Sequence, residues 1–197
     1  MDVFNLSNPF HHTIIHNFYN DEEQKLIWEE LDFLNKPNKL LSPDKTADPF
    51  ASSNKKSIFL DVLYNQNRQI SNILTVNRKI FSITNLMKEN IFSNYFRIVN
   101  RDFTMISYYE DGAFYAPHDD LFVLSSVTTF WKEPKNFDGG ELRFVDSNYT
   151  PEMYHNTMVI FPSFVNHEVT PICMKNNDGT NGRYTINQFY TITPGDS

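Results

Sequence analysis

Two histidines and one aspartate have the types and spacing that can bind a metal ion. His118 and Asp120 stand two residues apart in the segment YAPHDD, residues 115–120. In extended backbone, side chains two apart project to the same face, so both can reach one ion while Asp119 points away. This triplet is a weak signal alone, but an isolated His167 opens a later strand-like run. Two histidines and a carboxylate form the facial triad that holds non-haem iron(II) and leaves positions open for other ligands.

A late strand pattern carries an arginine that is suited to binding an acid. Alternation along this run puts Arg183, Thr185 and Asn187 on one face of the strand. If that face lines the interior of a barrel, Arg183 needs an acidic partner, because an unpaired buried charge is costly. Its planar guanidinium can grip a carboxylate through two parallel hydrogen bonds. An ion pair on a surface edge strand is the other interpretation.

The remaining histidines have ordinary structural explanations. His11, His12 and His16 lie near the N-terminus and are interpreted as surface or packing residues. His155 stands at a turn before the apolar run 158–161, and we expect it to be structural as well.

The elements that position these residues are helices first and strands afterwards. Asn20 has the form of a helix cap, and apolar residues then recur at helical spacing, which predicts a helix over about 21–35. Apolar pairs at helical intervals predict a second, longer helix over 68–92. Between them, the polar segment 36–57 indicates an exposed loop, either a surface connection or a lid.

After residue 95 the pattern changes to short strand-like runs separated by turn signals. The predicted strands cover 103–109, 121–131, 141–145, 157–161, 165–170 and 183–193. Helices followed by closely spaced strands indicate helices packed against a barrel or a double-sheet jelly roll.

Composition limits the classes of partner and compartment. The chain has 197 residues, a length that a single β-rich domain commonly has. A net charge of -7 without a basic, aromatic-rich stretch disfavours nucleic acid as a partner. Cys173 is the only cysteine, so no intramolecular disulfide can form, and we expect a reducing, cytoplasmic setting. No leader pattern and no apolar run of membrane-spanning length is found, so no membrane partner is expected.

Several ordered motifs resemble one family. The sequence is similar to the prolyl 4-hydroxylase-like branch of the iron(II)- and 2-oxoglutarate-dependent dioxygenases, firmly from about 95 to 193. The matching segments are YEDGAFYAPHDD at 109–120, DGGEL at 138–142, VIFPS at 159–163, HEVTP at 167–171 and RYTI at 183–186, with 9–18 similar to the opening strand.

The resemblance implies a fold and a set of site residues. The fold would be α+β but mainly β, a double-stranded β-helix core over about 96–193 with N-terminal supporting helices over about 1–95, in one domain spanning 1–197. Iron(II) would be held by His118, Asp120 and His167. The distal carboxylate of 2-oxoglutarate would be held by Arg183, helped by Thr185 and Tyr109. Dioxygen would be the second cosubstrate, with ascorbate as an optional addition.

The sequence departs from the family pattern between His167 and Arg183, where an insertion lies around 175–179. Lys175 is therefore the reserve candidate for the cosubstrate carboxylate, although it stands in turn-like sequence. The presence of Asp120 disfavours the related halogenases, which lack this carboxylate. Phe189 stands where the nucleobase demethylases of the superfamily carry a second arginine.

The resemblance favours hydroxylation of a C–H bond, with release of succinate and CO2, and a peptidyl proline as substrate. A cleft bordered by the loop 36–57 and the segment 110–117 would admit the peptide. Tyr115 and Trp131 would pack against the pyrrolidine ring, unless they are ordinary barrel packing. Two alternatives stay open: a hydroxylase of a small molecule or free amino acid, and a non-catalytic, cupin-like module that holds zinc or no metal. The oligomeric state is also open.

Overall fold

Most of the chain folds into antiparallel β-structure with a few helices. The computed structural model describes residues 1–36, 39–87, 91–176 and 181–193. The strands are β1 Asp2–Leu6, β2 His12–His16, β3 Lys56–Phe59, β4 Arg101–Tyr109, β5 Tyr115–His118, β6 Leu124–Phe130, β7 Phe137–Gly139, β8 Leu142–Phe144, β9 Thr157–Pro162, β10 His167–Val169, β11 Ile172–Met174 and β12 Arg183–Thr191.

The strands form one large and two small sheets. The large sheet has seven strands in the order β1-β2-β9-β6-β12-β4-β3, and every neighbouring pair is antiparallel. A three-stranded sheet has the order β5-β10-β8, and β11 pairs with β7. This mainly β architecture is consistent with the expected jelly roll. The six strands expected from the sequence correspond to β4, β6, β8, β9, β10 and β12.

The helices are short except for the first. They are α1 Asp21–Leu34, α2 Leu60–Leu63, α3 Asn72–Asn77, α4 Lys79–Ser82 and α5 Phe92–Ile98, with 3-10 turns at Pro43–Lys45, Arg68–Ile70 and Thr84–Met87. The first helix confirms the prediction for 21–35. Asn20 and Glu23 form a capping box at its start. Among these described residues, no helix combines the length and apolarity required to cross a bilayer.

The single longer helix expected over 68–92 is wrong. The described part of that segment holds α3, α4 and two 3-10 turns instead, and residues 88–90 lie outside the described residues. Ser71 caps α3 by accepting a hydrogen bond from the Leu74 amide. The helix ends at Asn77, whose buried side chain accepts the Tyr19 hydroxyl at 2.5 Å and donates to Thr104. These caps and tertiary bonds stop a helix that the apolar spacing alone would continue.

The N-terminal part is not purely a helical support, contrary to the expectation for 1–95. β2 inserts between β1 and β9, and β3 forms the opposite edge of the same large sheet beside β4. All but the last residue of β2 are buried. The first 59 residues therefore contribute three strands to the sheet that carries the later motifs.

The strand β12 separates two environments. It pairs with β4 on one side and β6 on the other, in the interior of the large sheet. Tyr184 and Ile186 point into the main hydrophobic core, which also contains Ile27 and Leu31 of α1. The alternate residues Thr185, Asn187 and Phe189 lie on the opposite face, where the Asn187 amide donates to Thr185 Oγ1 at 3.1 Å. The alternation read from the sequence is therefore confirmed.

Candidate metal centre and active site

The structure brings His118, Asp120 and His167 together. His118 ends β5 and His167 begins β10, and the two are direct partners in the pairing of these strands. Their Nε2 atoms lie 3.9 and 3.8 Å from the two carboxylate oxygens of Asp120. One potential ligand atom from each of the three residues lies within 4.8 Å of the others. Among the described residues, this is the only group of three or more such side chains that could share an ion.

Backbone carbonyls orient both imidazoles toward the shared point. His118 Nδ1 lies 2.9 Å from the carbonyl oxygen of Ala116, and His167 Nδ1 lies 2.9 Å from that of Val165. Because a carbonyl only accepts, each Nδ1 must carry the proton, which leaves the Nε2 lone pair free for a metal. Burial, with a smaller contribution from the neighbouring His167, lowers the pKa of His118 to about 3. The ring is therefore neutral, as a metal ligand must be.

Two serines fix the carboxylate. Ser125 Oγ donates to Asp120 Oδ2 at 2.5 Å and lies 2.8 Å from Ser163 Oγ. The backbone N–H of Asp120 donates to the carbonyl of Ser163 at 2.9 Å. Burial raises the pKa of Asp120, while His167 and the Ser125 hydroxyl oppose that shift. The adjacent Asp119 is exposed and takes no part in the group. Nothing in the sequence around Ser125 and Ser163 predicted their role, because serines are common in strands and turns.

This donor set fits non-haem iron(II). Two imidazole nitrogens and one carboxylate from one side leave the remaining coordination positions open. Structural zinc sites instead close four positions with cysteine and histidine. The residues present therefore suit a catalytic iron better than a structural zinc.

Arg183 is a buried cation without a hydrogen-bond partner on its terminal nitrogens. The side chain is 1% exposed, and neither Nη1 nor Nη2 has a partner among the described residues. Its guanidinium carbon lies 5.2 Å from the centre of the Tyr109 ring. Burial lowers the pKa of Arg183, whereas Tyr109 and Glu141 oppose the shift. An unsatisfied buried guanidinium is costly, so its environment is incomplete without an anion.

Gly140 gives Arg183 its space. A Cβ at position 140 would lie 3.0 Å from Arg183 Cδ and 3.0 Å from a side-chain atom of Ile172. The residue also has a φ of +71°, which glycine adopts without strain. The Gly-Gly pair read from the sequence therefore has a packing role beside the arginine.

The triad opens onto a cavity of about 550 Å³. It is lined by the triad, by Tyr109, Thr185 and Asn187 of the large sheet, and by residues 45–50 of the loop. Arg183 is not among the lining side chains, but its guanidinium packs against the ring of Tyr109, which does line the cavity. Lys175, the reserve candidate, is exposed and pairs with Asp138 at 3.2 Å. Residues 177–179 of the expected insertion lie outside the described residues.

The aromatic residues expected near the substrate have different locations. Tyr115 lines the cavity and stacks on His118, with 3.6 Å between ring centroids. Trp131 does not line it and packs against Phe137 and His155 instead. The ordinary packing interpretation therefore holds for Trp131. His155 accepts the Trp131 amide, which confirms its structural interpretation.

The loop between α1 and β3 forms part of the cavity wall. The Asp48 amide donates to the Tyr115 hydroxyl at 2.8 Å and holds residues 45–50 beside the site. Phe50 and Leu121 line the cavity and are nevertheless 97% and 95% exposed. These two apolar side chains mark the rim.

Lys55 was missed by the sequence interpretation. It lines the cavity and is 1% exposed. Its Nζ donates to Ser57 and Ser107 and lies 4.7 Å from the centre of the Tyr115 ring. The only available signal was its place one residue before a short strand in which Ser57 and Phe59 share its face.

Residues 104–191, which include the triad and Arg183, match the model of the 2OG-Fe(II) oxygenase superfamily. This segment also contains Tyr109 and Thr185, so it holds every site residue that the sequence predicted. The 2OG-Fe(II) oxygenases are dioxygenases that use iron(II), 2-oxoglutarate and dioxygen, and the His-Asp-His group fits the iron site.

Comparison with individual proteins points the same way. The chain is 26% identical to an uncharacterized PKHD-type hydroxylase from Synechocystis, over 88% of this chain. It spans 60% of the length of that relative.

Solved structures share the fold. A prolyl-4-hydroxylase from Pseudomonas putida has a TM-score of 0.61 and 18% identity, over 92% of this chain and 93% of that one. A viral collagen prolyl hydroxylase from Paramecium bursaria Chlorella virus-1, in complex with 2OG, has a TM-score of 0.55 and 12% identity, over 95% and 99% of the two chains.

Proposed function

We propose that this 2OG-Fe(II) oxygenase hydroxylates a C–H bond of a prolyl residue in a peptide and converts 2-oxoglutarate to succinate and CO2. The observation that carries the oxygenase part is the oriented His-Asp-His group in a cavity whose wall residue Tyr109 packs against the buried Arg183. We also propose that residues 1–197 form one domain with a double-stranded β-helix core, in a cytoplasmic protein.

In this proposal, His118, Asp120 and His167 hold iron(II). Their backbone and serine partners orient the ligand atoms before the metal binds, which reduces the ordering needed on binding. When bound, the iron, 2-oxoglutarate and dioxygen supply the oxidation of the substrate C–H bond. The protein contributes binding, orientation and shelter from water.

Arg183, Thr185 and Tyr109 would hold the distal carboxylate of 2-oxoglutarate. The two free Nη groups of Arg183 match the two oxygens of a carboxylate. Thr185 stands two residues after Arg183 on the same face of β12, and Tyr109 of β4 is the cross-strand partner of Arg183. Burial raises the pKa of the Tyr109 hydroxyl, so that group stays protonated and can donate a hydrogen bond.

The fold and the apolar rim of the cavity both support a prolyl residue of a peptide as the substrate. The prolyl hydroxylases named above share the fold. The exposed Phe50 and Leu121 offer apolar contacts to a chain that crosses the cavity mouth. The loop 36–57, tied to Tyr115 through Asp48, would act as the wall or lid over such a chain.

A second candidate is hydroxylation of a small carboxylic acid or a free amino acid. The buried Lys55 favours it, because a cation inside the cavity suits an anionic substrate. A non-catalytic, cupin-like module would leave the free guanidinium of Arg183 without a purpose.

The test compares two adjacent aspartates. Asp120→Ala should weaken metal binding by at least about 100-fold, since it removes a ligand, and should abolish oxygen-dependent succinate formation. Asp119→Ala, which alters an exposed carboxylate, should keep the metal affinity within about threefold.

Metal affinity is measured by anaerobic titration, and hydroxylation by a mass gain of one oxygen on proline-containing peptides and on free proline. Normal coupled turnover by Asp120→Ala would refute the site, and oxidation of free acids alone would replace the peptide substrate.

A further inference from the structure

The cavity contains a second buried cation that the proposed chemistry does not use. Lys55 stands immediately before β3, and its side chain turns into the cavity. Its Nζ donates to Ser57 Oγ at 2.9 Å and to Ser107 Oγ at 3.2 Å. It also lies 4.7 Å from the centre of the Tyr115 ring. Lys55 is therefore anchored, with a fixed position for its charge.

The hydrogen bonds of Lys55 are incomplete. A charged ammonium has three protons, and among the described residues the third meets only Met105 Sδ at 3.9 Å, a weak acceptor. No carboxylate of the described residues forms an ion pair with Lys55. Burial lowers its pKa to about 7, and the negative charge of Asp120 opposes this shift. The site thus disfavours a positive charge unless an anion joins it.

The sheet separates Lys55 from Arg183. β4 lies between β3 and β12 in the large sheet. On β4, Tyr109 pairs with Arg183, and the preceding Tyr108 pairs with Lys56. The two buried cations therefore lie on opposite sides of Tyr109. Lys55 is on the side of Tyr115, which the loop residues 45–50 cover.

The charges of the loaded site are balanced without Lys55. Iron(II) and Arg183 together carry as much positive charge as Asp120 and 2-oxoglutarate carry negative charge. A protonated Lys55 would then add one uncompensated positive charge to the cavity that the triad lines. A further anion in the cavity would neutralise it.

We propose that Lys55 binds a carboxylate of the primary substrate and so determines which C–H bond faces the metal. The substrate is therefore a carboxylate-bearing molecule, either a free amino acid or a peptide with an acidic group next to the oxidised residue. This assignment rests on the proposed function and specifies its substrate class. Packing alone does not account for the residue, because a buried apolar side chain would avoid the cost of desolvating an ammonium.

The neighbouring lysine provides a matched control. Lys56 is half-exposed and pairs with Glu110 outside the cavity. Lys55→Met and Lys56→Met remove the same charge from adjacent positions, but only the first changes the cavity. Lys55→Arg keeps the cation, and Lys55→Gln is a second neutral variant of different shape.

The experiment measures binding without turnover. Protein loaded with Mn(II) and 2-oxoglutarate is titrated anaerobically in a calorimeter with the common L-amino acids, including L-proline, and with their carboxamides. Capped proline tripeptides with glutamate or glutamine beside the proline form the peptide arm. We expect a carboxylate ligand to bind wild type and Lys56→Met equally, to bind Lys55→Met and Lys55→Gln at least about 30-fold more weakly, and to be partly restored by Lys55→Arg.

Each other outcome overturns the assignment. It fails if the amide analogues bind wild type as tightly as the acids, if no acid of either arm binds, or if Lys55→Met weakens 2-oxoglutarate rather than substrate. If the free amino acids bind, the substrate is a free acid; if the glutamate tripeptides bind, it is an acidic peptide. Succinate formation without substrate separates this failure from that of the proposed function, because wild type and the surface variant Lys56→Met should both retain it. If wild type forms none, the oxygenase proposal itself fails.

Discussion

Arg183 is the residue whose burial most needs explanation. Its two terminal nitrogens have no partner among the described residues, and the Tyr109 ring lies 5.2 Å from the guanidinium carbon. A cation–π contact is worth about 2 kcal/mol when desolvated, which is less than the cost of burying an unpaired charge. Because the contact with Tyr109 offsets only part of the cost of burying the charge, a bound carboxylate explains Arg183 better than a purely structural role does.

Removing this arginine should therefore damage cosubstrate binding. Arg183→Ala should raise the dissociation constant of 2-oxoglutarate by about 30-fold to several thousand-fold, since truncating one member of a buried charge pair costs roughly 2–5 kcal/mol. The measurement is an anaerobic titration of the Mn(II)-loaded protein. Lys175→Ala, an exposed lysine, serves as control and should leave the constant unchanged. A change below about threefold for Arg183→Ala would move the carboxylate elsewhere in the cavity.

The site residues differ in how visible they are in the sequence. His118 and Asp120 are neighbours on one strand end, and β12 shows its polar face by alternation, so local spacing predicted both features. Ser125 and Lys55 reach the site from separate elements, and nothing local distinguishes them from ordinary strand residues. Their roles depend on which strands become neighbours, and this requires the tertiary structure.

Among the elements, the contact between α1 and α3 depends on one buried carboxylate. Glu30 accepts hydrogen bonds from the Ser71 hydroxyl at 2.8 and 3.0 Å and from the Ile73 amide at 2.8 Å. Ser71 also caps α3. The same residues that break the expected longer helix therefore attach its first fragment to α1.

Glu30→Ala should lower the free energy of unfolding by about 2–3 kcal/mol, because it leaves the Ser71 hydroxyl and the Ile73 amide without their partner in a buried place. Glu29→Ala, on the exposed face of the same helix, should change stability by less than about 0.5 kcal/mol. Urea denaturation of the two variants checks this. Equal losses would mean that the carboxylate does not join the helices.

At the scale of the whole molecule, the large sheet joins distant parts of the chain. β2 from the N-terminus lies beside β9, and β3 lies beside β4. Periodicity predicts that a segment is a strand but not which strand it pairs with, since pairing depends on contacts distant in sequence. The opening strand expected over 9–18 corresponds to β2, whereas β1 and β3 of the N-terminal part were not expected. Because β3 was not predicted, the position of Lys55 in the cavity, immediately before that strand, was not predicted either.

The pH dependence of global stability should report the buried charge of Lys55. Burial lowers its folded pKa to about 7 from an ordinary value of 10.5, so between these values the unfolded chain binds more protons than the folded one. Stability of the metal-free protein should therefore rise with pH across that window, by up to about 1.4 kcal/mol per pH unit from this group. In Lys55→Met this contribution is absent, while all other titrating groups are shared. Urea denaturation at pH 7, 8 and 9 should show the advantage of the variant shrinking as pH rises, and parallel curves would mean that Lys55 is hydrated in solution.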